Sequence, residues 1–134
     1  MSLIKDRQFG WENETEILEK LQTYFKDPSI RKTPNQFDEI DFEGENISIE
    51  LKTRRNLSTL YPTTMIGINK IRYARKNKNT TYFVFKFTDC TKRIRFRNKL
   101  FKTFDREWKT RYDRGYPERG LYVMIPMYLL KLIK

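Results

Sequence analysis

At 134 residues the chain has the length of one compact domain, enough to bury a single core and too short for a second large one. Its 28 Lys and Arg against 17 Asp and Glu give a formal charge of +11, which favours a polyanionic partner, nucleic acid first, because cationic side chains displace the counterions of phosphate. The chain has no histidine and one cysteine, Cys90, which excludes imidazole acid/base catalysis, Ser-His-Asp triads, His-bearing zinc sites, thiolate clusters and an internal disulfide.

The first predicted element is a helix over "WENETEILEKLQTYF", 11 to 25. Trp11, Leu18, Leu21 and Phe25 fall at helical spacing, Ile17 and Tyr24 widen the stripe, and "DPS" at 27 to 29 ends it. A short strand near Ile30 follows. "FDEIDFEGENISIELKT", 37 to 53, then reads as a hairpin reversing at Gly44 and Glu45. With that turn Ile40 and Phe42 share an apolar face with Ile47, Ile49 and Leu51, while Glu39, Asp41, Glu43, Ser48, Glu50 and Lys52 take the other.

Pro62 precedes Thr63 and Thr64, either of which can cap a helix whose Met65, Ile68, Ile71 and Ala74 face inward, with Gly67 as its weak point. "TTYFVFKFTD", 80 to 89, predicts a buried strand and "KRIRFRN", 92 to 98, an alternating one. Within the charged stretch 99 to 119, "FDREWKTRY" (104 to 112) suggests a helix. "LYVMI" (121 to 125) suggests a strand, and "PMYLLKLI" (126 to 133) a short helix with proline in its first turn. This order predicts a single α/β domain over residues 1–134, a mixed sheet flanked by helices with additions toward the C-terminus. The cysteine usage fits an intracellular protein, and no apolar run approaches the roughly twenty residues that span a bilayer.

Any chemistry must therefore use carboxylates, lysine, tyrosine or a metal held by oxygen. A solvated sheet face would explain the acids of the hairpin. Against that, Glu14 lies on the inward stripe of the first helix, where an acid needs a partner. If Glu14, Asp41 and Glu50 converge, like charges that close call for a cation among them, and an all-oxygen set suits Mg²⁺ or Mn²⁺. Lys52 beside them supplies a positive charge to position or deprotonate water and to steady a developing phosphorane.

These residues resemble the PD-(D/E)XK nuclease superfamily, whose signature is an acid on one strand of a hairpin and E-x-K on the next. The matching residues are Asp41 and Glu50-Leu51-Lys52, and Gly10 to Glu14 is similar to the G-x-x-x-E at the start of the family's first helix. The resemblance covers about residues 10 to 88 and implies a restriction-endonuclease-like αβββαβ core. It implies Asp41, Glu50 and the Leu51 carbonyl as metal ligands, Lys52 as the catalytic lysine, and Glu14 as the residue completing the site or holding a second metal. The family's proline-aspartate pair is absent, and Asp38 competes with Asp41 for the strand acid. Asp38 requires a register one residue away, which would turn Glu39 and Asp41 in among Ile47, Ile49 and Leu51. Glu107-Trp108-Lys109 repeats the E-x-K pattern without an acidic strand before it.

Arg54, Arg55, Lys70 and Arg72 follow the signature closely enough to contact phosphates beside a scissile bond, and Arg75, Lys76 and Lys78 extend the track or simply solvate a helix. Tyr61, Trp108, Tyr112 and Tyr116 are candidates to stack on unpaired bases, although most aromatic residues are core. The expected function is a metal-dependent endonuclease hydrolysing phosphodiester bonds in DNA. The sequence does not separate RNA from DNA, and cutting both strands of a duplex would call for a homodimer. The competing expectation is a catalytically silent nucleic-acid-binding module on the same or another basic α/β fold.

Overall fold

The computed structural model describes residues 16–34, 40–112 and 115–134. The first helix, α1, is helical over 16–24 and ends on Lys26 in the left-handed region (φ 53°). There the Asp27 N–H reaches Gln22 O at 3.0 Å and the Lys26 N–H reaches Thr23 O at 3.2 Å, a Schellman closure made without glycine. Asp27 then accepts the Ser29 N–H and hydroxyl, which fixes the turn into the sheet.

The strands β1 (Arg31–Lys32), β2 (Phe42–Glu43) and β3 (Ile47–Thr53) run antiparallel in sequence. β4 (Thr63–Gly67) and α2 (Ile68–Lys76) form the crossover to β5 (Thr80–Lys86), which lies parallel to β3. β6 (Thr91–Arg95) returns antiparallel, followed by the short helix α3 (Asn98–Phe101). β7 (Arg106–Arg111), β8 (Glu118–Pro126) and, after a 3₁₀ turn at Met127–Leu129, β9 (Lys131–Ile133) complete the chain. The strands sort into a six-stranded mixed sheet, β1-β2-β3-β5-β6-β9, and a three-stranded antiparallel sheet, β4-β8-β7. The mixed α/β architecture is the one the sequence predicts.

One core lies on each face of the large sheet. Ile17 and Leu21 of α1 pack with Phe42, Ile47, Ile49 and Val84 on one side. On the other, Ile71 and Ala74 of α2 and Ile66, Val123 and Ile125 of the small sheet pack with Phe83, Phe85 and Ile94.

Several local expectations are corrected. The hairpin closes on the pair Gly44 and Ile47, with Gly44 N–H on Ile47 O at 2.8 Å, so it reverses at Glu45 and Asn46, one residue later than expected. Gly44 is needed for close approach: a Cβ there would lie 2.9 Å from both Ile47 Cγ2 and Ser29 Oγ. Thr63 to Gly67 is a strand rather than the start of a helix, because its β-branched residues extend against β8 and Gly67 caps the helix that follows. Residues 106–111 are the strand β7 rather than a helix, and 126–133 is a 3₁₀ turn leading into an edge strand. The short strand expected near Ile30 is present as β1, Arg31–Lys32. Among the described residues no helix is long and apolar enough to cross a membrane.

Candidate functional site

The one-residue displacement of the hairpin turn changes the pairing by two, and an even shift preserves which side chains share a face. Phe42 therefore stands opposite Ile49, inside, as the apolar alternation requires. The same shift moves Asp41 two residues along β3, away from Ser48 and toward Glu50. Its backbone N–H donates to Ile49 O at 3.1 Å, and its carboxylate Oδ2 accepts the Leu51 N–H at 2.7 Å.

Glu50 points to the α2 side of the sheet, flanked on β5 by Phe83, and is 3 % exposed. Lys52, two residues on along the same face, places Nζ 3.3 Å from Glu50 Oε1. Lys70, in the first turn of α2, places Nζ 3.3 Å from Glu50 Oε2. That oxygen still has no hydrogen bond of good geometry among the described residues, so the Lys70 contact is Coulombic rather than directed. The Glu50 carboxyl is pushed up to about 7, first by burial and then by the negative charge of Asp41, with Lys52 and Lys70 opposing.

A cleft of about 650 Å³ opens between β3, the start of α2 and the small sheet. Lys52, Arg54, Lys70, Arg111 and Arg119 line it against one carboxylate, Glu118, so its potential favours phosphate. Neither Glu50 nor Asp41 is on its lining: Lys52 and Lys70 stand between the cleft and Glu50.

The signature residues fall as follows. Asp41, Glu50 and Lys52 come together. Glu14, Asp38 and Glu39 lie outside the described residues. The described turns of α1 cover the Phe42, Ile47 and Ile49 face, opposite to the one bearing Glu50. Lys70, expected on phosphate, is drawn to Glu50. Arg54 is partly buried, its guanidinium donating to Met65 O at 2.6 Å and lying 5.7 Å from the Phe85 ring centroid, and burial lowers its pKa. It fastens β3 to β4 as well as lining the cleft. Arg55 and Arg72 are exposed. The second E-x-K is a surface pair on β7, Lys109 to Glu107 at 3.0 Å, with both side chains over 40 % exposed.

Sequence reading missed the far wall of the cleft, Arg111, Arg119 and Tyr122, because a helix expected over 104–112 hid the alternation of a two-stranded ribbon. Among the described residues no three acidic or thiol side chains gather around one point. The donors that do meet, Asp41 and Glu50, are hard oxygens. Their mutual repulsion, and a Glu50 Oε2 that meets the Lys70 ammonium but takes no directed hydrogen bond, fit a divalent cation such as Mg²⁺ or Mn²⁺. No protein-family model matches the chain, and comparison with curated proteins and with solved structures returned no match.

Proposed function

We propose that the protein is a metal-dependent endonuclease of the PD-(D/E)XK type, acting on DNA. The observation that carries this reading is the buried Glu50, placed between Asp41 and Lys52 at the back of a cationic cleft. The element order supports it: α1, three antiparallel strands, α2 and a strand parallel to β3 follow the order αβββαβ, with β4 inserted ahead of α2.

Asp41, Glu50 and the Leu51 carbonyl would hold the ion, which when bound supplies Lewis acidity and an acidified water. The chain's own groups do the rest. Lys52 lines the cleft with its ammonium paired to Glu50, a position from which it can orient water and offset charge that develops on phosphorus. Arg111 and Arg119 on the opposite wall hold flanking phosphates, with Arg55 and Arg72 exposed to extend the track. Asp41 is itself held by the Leu51 N–H, which keeps its carboxylate at the strand junction.

A second reading, a binding module without catalysis, is favoured by Lys70. With Asp41, Glu50, Lys52 and Lys70 the cluster is formally neutral, and an ion must compete with an ammonium 3.3 Å from Glu50 Oε2. The deciding experiment incubates supercoiled, branched and single-stranded DNA, with RNA alongside, with and without Mg²⁺ or Mn²⁺. The nuclease gives metal-dependent cleavage that Lys52→Ala reduces by about a hundredfold or more. Cleavage unchanged in Lys52→Ala and Asp41→Ala excludes this site, and binding without cleavage on any substrate supports the module.

A further inference from the structure

The β7–β8 hairpin carries large aromatic side chains in solvent: Trp108 is 60 % exposed and Tyr112 71 %. β7 is the outer strand of the three-stranded sheet. Alternation sets Trp108 and Thr110 on one side of the ribbon, the register places Arg119 opposite Thr110, and Tyr112 follows just past the end of β7. The Arg119 guanidinium lies 5.1 Å from the Trp108 ring centroid. Arg119 and Tyr112 also line the cleft that Lys52 and Lys70 enter. An aromatic, a cation and a second aromatic therefore lead outward from the cleft mouth.

Strand rise puts Trp108 and Tyr112 about 13 Å apart, so the two rings engage different bases with nucleotides between them rather than clamping one. A duplex keeps its base faces stacked inside and offers these rings nothing, whereas an unpaired strand presents a face at every base and a phosphate at every step. A second copy of the chain fits less well, since each copy brings a charge of +11.

We propose that this hairpin holds an unpaired strand beside the cleft, so that the nucleic acid acted on carries a single-stranded segment. That the strand is also cleaved rests on the nuclease reading; that it is bound does not.

The test is fluorescence anisotropy in excess EDTA, with a labelled oligothymidylate and a blunt duplex of equal length. Wild type binds the single strand more tightly. Trp108→Ala and Tyr112→Ala each weaken that binding by about fivefold to a hundredfold, leave duplex binding unchanged and keep the wild-type melting temperature, while Trp108→Phe retains most of the affinity. Equal affinity of wild type for both probes would overturn the proposal, as would single-strand binding that survives the double alanine variant. Loss of binding accompanied by a change from dimer to monomer in sedimentation would also overturn it, assigning the row to a second copy. Because binding is read without metal, intact strand preference with no cleavage removes the nuclease reading alone. Cleavage with no strand preference removes this proposal alone.

Discussion

On β3, alternate side chains of opposite chemistry enter two apolar interiors at equal depth. Ile47 and Ile49 join Leu21, Phe42 and Val84 in an apolar cluster under α1. Ser48 and Glu50, just as buried, face α2. Ser48 is satisfied, accepting from Asn77 at 2.9 Å and Asn79 at 3.3 Å, which anchors the end of α2 to the sheet. Glu50 is left with an oxygen lacking a directed bond and a carboxyl held near 7. A group kept in that state costs stability, and a fold gains from it only where something other than folding uses the charge. One face of the strand adds only apolar side chains to the core beneath it, and the other sets a carboxyl against an apolar core.

The largest effect should come from breaking the stabilising face. Ile49→Ala removes a fully buried side chain and should lower unfolding free energy by about 2–5 kcal/mol in urea titration, at every pH. Next is Glu50→Gln, where the sign is set by linkage. The folded pKa, about 7, lies above the ordinary 4.5, so folding is unpenalised below about 4.5 and loses stability as pH rises through 7. The glutamine variant escapes that loss, and its stability relative to wild type should rise by about 3 kcal/mol between about pH 4 and pH 8. Parallel pH profiles would mean that Glu50 is not perturbed.

Lys70→Met sharpens the contrast from the other side. It removes one of the two cations beside Glu50 and should destabilise the fold by about 1–3 kcal/mol above pH 7, with little change near pH 5, where the carboxyl is protonated in any case. The smallest effect belongs to a polar pair with no such tension. Ser58 donates its N–H and hydroxyl to Asp89 at 2.8 and 2.6 Å, tying the loop after β3 to the β5–β6 turn. Ser58→Ala should cost about 1 kcal/mol by thermal melting, about the same at pH 5 and pH 8.

The hairpin shows how much of this was legible. The alternation of Ile40, Phe42, Ile47, Ile49 and Leu51 fixes which face is apolar whatever the turn, because slips that keep the face are even. Asp41 and Glu50 therefore fall together from the alternation alone, although the reversal lies one residue later than the local turn signal predicts. The E-x-K pattern was legible as spacing, and its exposed counterpart at Glu107 and Lys109 shows that spacing alone does not make a site. What the sequence hid was long-range pairing. Thr63 to Gly67 and Arg106 to Arg111 carry local signals compatible with helix, and they become strands because β8 lies between them. The cleft wall depends on that pairing, so Arg111, Arg119 and Tyr122 could not be placed near Lys52 from local pattern. Lys70 was legible as a cation near the site, but not as a partner of Glu50, because the start of α2 was misplaced by several residues.

The central claim is that Asp41 and Glu50 form one divalent-cation site beside Lys52. Its most direct test is calorimetric titration of Mn²⁺ into the nucleic-acid-free protein at about pH 8, repeated with Asp41→Asn. Wild type should bind a single ion with an affinity that falls as pH drops below about 7, where protons compete for Glu50, and the asparagine variant should lose that binding. Undiminished binding by Asp41→Asn, or no binding by wild type at any pH, would contradict it.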